Sequence, residues 1–319
     1  MILITGGAGF IGSHVTLRLQ ELGYQTLVLD NLSHGDRRAV LHGLFIEGSF
    51  GDRPLLEQIF KTYPIKAIFH FAAYIDVGES VLHPQKYFEN NVENTRVLLE
   101  VMTEARVPHL IFSSTAAVYG NPSKEKIDET HSTHPINPYG ESKLLAEKLI
   151  IEFEQHAGPR AMILRYFNAA GGDPKRRLKN FKKKESNLIP VALRALESGE
   201  KVTIFGEDYP TPDGTCIRDY IHVWDLAEAH ILALKALERG TDSATYNLGN
   251  GHGYSVKEVL EAVEKVTQKK LNWQMGARRL GDPAVLMADA SKANQKLHWH
   301  PQYPQLEKIV EDAWQATLA

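Results

Sequence analysis

Residues 1–12 read Met1-Ile-Leu-Ile-Thr-Gly-Gly-Ala-Gly-Phe-Ile-Gly12, a short apolar run that leads into a glycine-rich loop. The run predicts a buried strand from Met1 to Thr5, and the amphipathic segment after the loop predicts a helix from Ile11 to Leu22. Gly6, Gly9 and Gly12 have GxxGxxG spacing, and the loop also satisfies GxGxxG. Glycines between a strand and a helix let a pyrophosphate approach the backbone at the helix N-terminus. The stretch therefore predicts a dinucleotide-binding βα unit.

A carboxylate ends the second predicted strand. Asp30 follows the apolar run Thr26 to Leu29 and lies 18 residues past Gly12. At that distance an acidic side chain can accept hydrogen bonds from an adenosine ribose. Because it would repel a ribose phosphate, Asp30 favours NAD over NADP as the cofactor. Arg37 and Arg38 nearby keep NADP open as the alternative.

The first half of the chain alternates short apolar runs with longer amphipathic segments. This pattern predicts an α/β fold on a doubly wound, parallel Rossmann-type sheet. The further predicted strands are Leu44 to Glu47, Ala67 to Phe71, His109 to Ser113 and Ala161 to Tyr166, and the further predicted helices are Pro54 to Thr62, Gln85 to Ala105 and Tyr139 to His156.

The composition changes after Asn168, where a turn-rich, basic stretch begins. We predict an NAD-binding Rossmann domain over residues 1–168 and a smaller mixed α/β substrate-binding lobe over 169–319, with segments near 216–249 returning to the first domain. The basic run Lys175 to Lys184 is interpreted as a solvated loop, with phosphate contact as the alternative. The segments predicted in the lobe are helices Leu188 to Ser198 and Trp224 to Arg239, strands Val202 to Phe205 and Thr245 to Leu248, a loop from Gly206 to Thr215, and two later helices.

Charge and cysteine content exclude several classes of protein. The 319 residues carry 36 Lys plus Arg against 39 Asp plus Glu, so neither nucleic acid nor an anionic membrane is expected as a partner. Cys216 is the single cysteine, which excludes an internal disulfide and a Cys-rich zinc module, and the histidines lack the spacing of metal ligands. Because there is no apolar run of 18 residues and no basic segment before the first strand, a soluble cytoplasmic protein without a metal is expected.

Tyr139-Gly-Glu-Ser-Lys143 places a tyrosine and a lysine on one face of a predicted helix, about one turn apart. Asn137 and Pro138 before them are typical of a helix start. A phenol titrates near 10 in water, so a tyrosine that acts as a base near neutral pH needs its pKa lowered by about three units. Lys143 is one cation that could lower it, and the ring of oxidised nicotinamide would be the other. Alone the pair is common on protein surfaces, but beside a dinucleotide loop it predicts catalysis.

The strand Leu110 to Thr115 ends in three hydroxyls, which belong to Ser113, Ser114 and Thr115. The carboxyl ends of strands are where open α/β sheets bind ligands. Thr115 is therefore predicted to hydrogen-bond a reacting oxygen, with a purely local turn as the alternative.

Further motifs extend along the chain, namely His70-Phe-Ala-Ala73, Val77-Gly-Glu-Ser80, Asn90-Asn-Val92, Arg165-Tyr-Phe-Asn168 and the long segment Asp208 to Val223. Together with the glycine loop and the Tyr–Lys pair, they resemble the extended short-chain dehydrogenase/reductase family over almost the whole chain. The long segment is characteristic of the branch that inverts C4 of UDP-hexoses. The resemblance implies NAD-dependent interconversion of UDP-glucose and UDP-galactose through a transient 4-keto sugar. It also implies a homodimer joined through the two segments Gln85 to Ala105 and Tyr139 to His156.

The resemblance implies roles for particular residues. The catalytic residues would be Tyr139, Lys143 and Thr115. The residues that contact NAD would be Gly6, Gly9, Phe10, Ile11, Gly12, Asp30, Asn31, Ser49, Phe50, Phe71, Ala72, Ala73, Asn91, Ser113, Tyr139, Lys143 and Tyr166. The residues that contact the UDP-sugar would be Thr115, Tyr139, Asn168, Asn187, Leu188, Phe205, Arg218, Arg279 and Asp282.

Three positions depart from the family pattern. Ser49 follows Gly48 where an Asp is common, and Ile75 stands where many members have a Lys, so two cofactor contacts differ. Leu286 matches a position associated with access of acetylated sugars, which leaves a UDP-N-acetylhexosamine or a UDP-pentose open as substrate.

Two other functions remain as alternatives. A nucleotide-sugar 4,6-dehydratase or decarboxylase begins with the same oxidation but needs an added acid and base, and Thr115 is followed only by Ala116 and Ala117. A catalytically silent NAD-sensing protein on the same fold is the other alternative, and the presence of both Tyr139 and Lys143 argues against it.

Overall fold

The computed structural model describes residues 1–181, 187–279 and 282–318. The strands are β1 (Ile2–Thr5), β2 (Thr26–Asp30), β3 (Leu44–Glu47), β4 (Ala67–His70), β5 (His109–Thr115), β6 (Lys126–Ile127), β7 (Arg160–Tyr166), β8 (Asn168–Ala170), β9 (Val202–Phe205), β10 (Ile217–His222), β11 (Ala244–Leu248), β12 (Gly253–Ser255), β13 (Trp273–Gly276) and β14 (Val285–Ala288). The α-helices are α1 (Phe10–Glu21), α2 (Arg53–Thr62), α3 (Val77–Leu82), α4 (Pro84–Phe88), α5 (Asn94–Glu104), α6 (Pro138–Gln155), α7 (Leu188–Ser198), α8 (Val223–Glu238), α9 (Val256–Thr267), α10 (Ser291–Leu297) and α11 (Leu306–Leu318).

A seven-stranded parallel sheet forms the centre of the molecule, in the order β11-β7-β5-β4-β1-β2-β3. The α/β fold class and the six strands predicted for this sheet are confirmed, with ends that shift by at most two residues. The chain winds outward in opposite directions from β1, so the loops after β1 and β4 diverge. Such a reversal creates a crevice at the carboxyl edge, where open sheets of this kind bind ligands.

Helices cover both faces of this sheet. Successive side chains of a strand point to opposite faces, so Leu3 and Ile4 belong to two different cores. Ile4 packs in a cluster with residues of α1 and α8, whereas Leu3 packs with residues of α2, α5 and α6. This double coverage explains why the strands read as continuous apolar runs.

One strand of the central sheet comes from late in the chain. β11 pairs with β7 in parallel, from Ala244 opposite Met162 to Leu248 opposite Tyr166. Leu226 and Leu234 of α8 are buried in the same core as Ile4. β11 thus extends the first sheet and α8 packs against it, and the division into domains at residue 168 stays a prediction.

The remaining strands form smaller sheets that the sequence pattern mostly missed. One has the order β12-β10-β14-β6 with β8 paired to β10, and the other pairs β13 with β9. Of these strands, only β9 is predicted from the sequence. The others escape the pattern because they are short or because, as in β10, Arg218 and Asp219 interrupt the apolar residues. In the described residues after β11 there are three helices, α9, α10 and α11, instead of the two expected.

The predicted helix Gln85 to Ala105 is confirmed to within one residue at each end, but it contains a change of helix type. It runs without a break from α4 through a π-helical turn at Glu89–Glu93 into α5. A single π turn inside a helix is frequent at functional sites, because it accommodates one extra residue without ending the helix. A hydrophobic period alone does not reveal such an insertion.

Part of the basic run Lys175 to Lys184 is anchored rather than freely solvated. Arg177 forms ion pairs with Asp173 and with Glu21 of α1. Leu178 is buried against Leu17 and Trp224. Residues 182–184 of the run lie outside the described residues. Within the part of the chain that is described, no helix is long and apolar enough to span a bilayer.

Candidate active site

The glycine loop is held close to its neighbours at both ends. The Gly6 N–H donates to the Leu29 carbonyl at 2.9 Å and the Gly9 N–H donates to the Gly6 carbonyl at 3.1 Å. Gly6 has a φ of +72°, and a Cβ there would lie 2.5 Å from the backbone nitrogen of Ala72. A Cβ on Gly12 would lie 2.3 Å from the Gly6 oxygen. A side chain is therefore excluded at Gly6 and at Gly12, which keeps the backbone open at the start of α1.

The start of α1 suits an anion. The helix begins at Phe10 after Gly9, and no side chain caps its first N–H groups. Because the positive end of the helix dipole lies there as well, a pyrophosphate fits this position.

Asp30 is fixed beside the loop by two backbone donors. One carboxylate oxygen accepts the Ala8 N–H at 2.9 Å, and the other accepts the Leu32 N–H at 2.8 Å. Asp30 is buried, and burial raises the pKa of its carboxyl. A carboxylate offers about four acceptor positions, so two remain for ribose hydroxyls.

Arg37 and Arg38 are both engaged away from this carboxylate. The Arg37 guanidinium lies 4.6 Å from the centre of the Phe45 ring and donates to the Val40 carbonyl. Arg38 pairs with Asp36 at 2.7 Å. Neither arginine is therefore arranged as a dedicated partner for a ribose phosphate, which agrees with the preference for NAD.

The other predicted cofactor residues after β2 and β3 lie in loops at the same edge of the sheet. Asn31 follows Asp30 directly and accepts the Ser33 N–H. The Ser49 hydroxyl accepts the Gly51 N–H at 3.2 Å. Phe50 is buried with its ring 4.8 Å from that of His70.

The residues after β4 adjoin the glycine loop. The N–H groups of Phe71 and Ala72 both donate to the Thr5 carbonyl. Ala73 continues this loop, and Ile11 packs as a partly buried residue of the core under the sheet. The four loops after β1 to β4 thus line one continuous edge.

Asn91 lies in the π-helical turn and connects three segments. Its amide oxygen accepts the Tyr74 N–H at 2.9 Å, and its amide nitrogen donates to the Tyr74 carbonyl and the Ser142 hydroxyl, both at 3.0 Å. All of its polar atoms are used within the protein. The contact to NAD that the resemblance implies stays a prediction, and the structure assigns Asn91 a clamp between the loop after β4 and α6.

The predicted catalytic pair lies on α6. The Asn137 side chain caps this helix by accepting the Gly140 N–H at 2.9 Å. The Tyr139 phenol lies near the Thr115 hydroxyl at the end of β5, close enough for that hydroxyl to lower the pKa of the phenol. Lys143 is 3% exposed, with its ammonium 4.1 Å from the centre of the Phe112 ring. Sequence positions 115, 139 and 143 are therefore brought to one place by the contact between α6 and β5.

The residues of the protein raise the pKa of Tyr139, whereas the sequence pattern predicts a lowered pKa. Burial raises the pKa of the phenol, and the Thr115 hydroxyl lowers it only in part. Burial also lowers the pKa of Lys143 to about 7, so its charge is itself marginal at neutral pH. The predicted depression of the Tyr139 pKa consequently needs a further cation, and the oxidised nicotinamide ring is the one expected.

Ser113 and Tyr166 lie next to this pair and are hydrogen-bonded to each other through their hydroxyls. Tyr166 is close enough to Tyr139 for a phenolate there to raise the pKa of Tyr166 further. Both residues stand at the carboxyl ends of adjacent strands, β5 and β7.

Three of the predicted substrate residues, Asn168, Phe205 and Arg218, lie on strands of the smaller sheets, and Arg279 and Asp282 lie between β13 and β14. Arg218 forms an ion pair with Asp282 and donates to the Ile217 carbonyl at 2.7 Å. The guanidinium of Arg279 lies 4.0 Å from the centre of the Phe205 ring. These two pairs join residues that are far apart in sequence.

Asn168 and Asn187 occupy different surroundings. The Asn168 amide donates to the Asp219 carbonyl at 3.1 Å, between β8 and β10. Asn187 is exposed at the start of α7, before the partly buried Leu188, and it lines a cavity together with Phe10. No recorded contact within the described residues joins Asn187 to the Arg218–Asp282 pair.

The comparison with known families decides the assignment. A model of the NAD dependent epimerase/dehydratase family matches residues 2–249, more than half of the chain. This chain belongs to the NAD dependent epimerase/dehydratase family. Dependence on NAD is thereby confirmed at the level of the family, and the glycine loop with Asp30 fits that cofactor.

Relatives in this family match the chain over nearly its whole length. It is 50% identical to the UDP-glucose 4-epimerase of Halalkalibacterium halodurans over 98% of this chain and 94% of the relative. It is 46% identical to that of Rhizobium meliloti, over 98% of this chain and 95% of the relative.

Solved structures agree. The UDP-glucose 4-epimerase of Brucella ovis in complex with NAD has a TM-score of 0.95 at 43% identity, covering 98% of this chain and 97% of the other. The enzyme of Bifidobacterium longum in complex with NAD+ and UDP has a TM-score of 0.92 at 36% identity, covering 99% and 97%.

Proposed function

We propose that this protein interconverts UDP-glucose and UDP-galactose by inverting C4 of the sugar. The observation that carries the proposal is the group formed by Tyr139, Thr115 and Lys143 beside a dinucleotide-binding loop. The curated relatives named above support it, because both are UDP-glucose 4-epimerases of 46–50% identity.

Tyr139, Thr115 and Lys143 each have a separate role in proton transfer. The chemistry that NAD supplies when bound is reversible hydride transfer at C4, which removes the stereocentre and lets it be reset on the opposite face. The Tyr139 phenolic oxygen takes the proton of the O4 hydroxyl and later returns it. Thr115 orients that hydroxyl, and the Lys143 ammonium stabilises the phenolate from one turn along α6.

Binding energy is proposed to come mainly from the UDP group. Arg218 and Arg279 supply positive charge for a diphosphate, and Phe205 supplies an apolar wall for uracil. The other residues proposed to bind the UDP group are Asn168 and Asn187, through their amides, and Leu188 and Asp282. A sugar that is held through its nucleotide can turn between the two hydride transfers, which inversion requires.

Incubation with UDP-galactose, followed by nuclear magnetic resonance, tests the proposal. The expected outcome is the C4 epimer, which accumulates to equilibrium. A 6-deoxy-4-keto product would assign a dehydratase instead, and an unchanged substrate would assign a protein that only binds NAD. Parallel reactions with a UDP-N-acetylhexosamine and a UDP-pentose define the range of sugars, since a neighbour from Campylobacter jejuni is described as a UDP-Glc/GlcNAc 4-epimerase.

We also propose a homodimer in the cytoplasm. α5 and α6 pack beside each other, and Ile151 on α6 is 46% exposed, an apolar side chain that a second copy would cover. The lone Cys216 is buried and suits a reducing compartment. Sedimentation velocity tests the oligomer, with a species of twice the 35.8 kDa chain mass expected.

A further inference from the structure

A buried ionic network lies one helical turn beyond Lys143. Glu147 is on the same face of α6, and its side chain is 3% exposed. The Arg165 guanidinium of β7 donates through Nε to both carboxylate oxygens, at 3.0 and 3.2 Å, and through a terminal nitrogen at 2.5 Å. The Ser114 hydroxyl donates to one of the same oxygens. The carboxylate is thus held by a guanidinium and a hydroxyl inside the protein.

The network ties α6 to three other elements of the site. Arg165 also donates to the Tyr119 hydroxyl at 3.0 Å, and that hydroxyl donates to Asn247 of β11 at 2.7 Å. Ser114 stands between Ser113, whose hydroxyl is hydrogen-bonded to Tyr166, and Thr115, whose hydroxyl lowers the pKa of Tyr139. The position of Glu147 is therefore coupled to the strand ends that carry the reacting groups.

Glu147 is also the group that opposes the effect of burial on Lys143. Burial lowers the pKa of Lys143 to about 7, and the Glu147 charge raises it. The Phe112 ring of β5 faces the ammonium, and His70 of β4 is neutral because burial lowers its pKa to about 3. No other carboxylate is recorded against Lys143 within the described part of the chain.

We propose that Glu147 is a positioning residue for the reaction: its carboxylate, clamped by Arg165 and Ser114 one helical turn from Lys143, provides the buried negative charge that keeps the Lys143 amine protonated. The kinetic consequence of this inference rests on the proposed function, whereas the effect of Glu147 on the protonation of Lys143 does not. An uncharged Lys143 could not stabilise the Tyr139 phenolate, so activity would be lost wherever the amine deprotonates.

The test compares Glu147→Gln with Glu154→Gln in the NAD-loaded enzyme. Glu154 is a matched control, because it lies on the same helix and also accepts a serine hydroxyl, that of Ser243. We expect the alkaline limb of kcat against pH to move down by about one pH unit in Glu147→Gln, with KM for the UDP-sugar unchanged. Glu154→Gln should keep the normal profile, and Glu147→Asp should restore most of it.

A direct titration separates this inference from the proposed function. Lysine labelled at Cε and assigned through Lys143→Arg reports the protonation of Lys143 without any turnover. We expect Lys143 to titrate at lower pH in Glu147→Gln. If it titrates as in the unchanged protein, the inference is overturned whether or not the enzyme is an epimerase.

Glu147→Gln leaves Arg165 buried and unpaired, so it can fail to fold. In that case the double variant Glu147→Gln/Arg165→Met, which removes both charges, is tested instead. The alkaline limb of its kcat profile is expected to move down by the same amount. Failure of both variants to fold would overturn the inference, because the pair would then be a requirement of folding instead of a control on Lys143.

Discussion

The carboxylate of Asp30 and the backbone N–H of Ala8 lie 2.9 Å apart, which joins the end of the second strand to the glycine loop. The other oxygen of Asp30 accepts the Leu32 N–H at 2.8 Å. One side chain therefore fixes two loops of the cofactor site and still has acceptor positions left.

Replacement of Asp30 by Asn should weaken NAD binding. The amide has one oxygen, so it cannot serve both N–H groups and a ribose as well. Hydrogen bonds to a charged group contribute about 1.5–3 kcal/mol, which corresponds to about 10- to 100-fold in affinity. Calorimetric titration of the stripped protein with NAD measures this. Glu47→Gln is the control, because Glu47 is the exposed register partner of Asp30 at the end of β3. An unchanged affinity in Asp30→Asn would contradict the role.

Gly12→Ala should destabilise the protein and reduce its NAD content. The new Cβ would lie 2.3 Å from the Gly6 carbonyl oxygen, so backbone must move. Overpacking of this kind costs about 1–3 kcal/mol in the free energy of unfolding. Thermal and urea unfolding measure the loss. Gly78→Ala in α3 is the control, since its Cβ would meet nothing nearer than 3.4 Å and alanine favours a helix. Equal stability of both variants would contradict the prediction.

Tyr139→Phe should lower kcat by about 10²- to 10⁴-fold or more, because the general base is removed. NAD should remain bound, since the glycine loop and Asp30 are untouched. The epimerase assay and the absorbance of bound cofactor measure the two properties. Tyr87→Phe is the control, a buried tyrosine whose ring centre lies 6.5 Å from that of Tyr139. Near-normal turnover in Tyr139→Phe would remove it from the proposed role.

Arg279→Gln should raise KM for the UDP-sugar by about tenfold or more and leave kcat nearly unchanged. The loss of one charged contact to a diphosphate weakens binding of substrate and transition state alike. Steady-state kinetics measure the split. Arg278→Gln is a neighbouring control, because Arg278 pairs with Asp208 at 2.8 Å and lies over Tyr209. Equal KM changes in the two variants would contradict the assignment of Arg279.

His230→Leu should reduce the loss of stability in acid. His230 is fully buried, and burial lowers its pKa from 6.5 to about 4. As pH falls below 6.5 the unfolded chain binds a proton at this residue and the folded chain does not, so stability is lost between about pH 6.5 and 4. The full shift corresponds to about 3 kcal/mol. Urea unfolding of His230→Leu and of the unchanged protein at pH 7.5 and 5 measures how much stability each loses in acid. The effects of His14 and His70 cancel in this comparison, because both proteins contain them. Parallel pH dependences would contradict the prediction.

Local sequence pattern was sufficient for the centre of the fold. β1, β2 and β3 and the helices α1 and α2 lie within two residues of their predicted bounds. β1 and β2 are buried on both faces and read as continuous apolar runs, and the helices have an amphipathic period. Both signals lie among neighbouring residues, so no distant information is needed. The glycine spacing and the carboxylate at Asp30 follow from the same short range, because they are backbone and ribose contacts of one βα unit.

Other features depended on residues that meet only after folding. Arg218 pairs with Asp282 across 64 positions, and Glu147 pairs with Arg165 across 18. The raised pKa of Tyr139 and the lowered pKa of Lys143 arise from burial, which no local pattern measures. Residue types and spacing thus determined the cofactor unit and the candidate base. The tertiary structure decided which charges are paired and which remain to act, because desolvation and long-range pairing are properties of the packed chain.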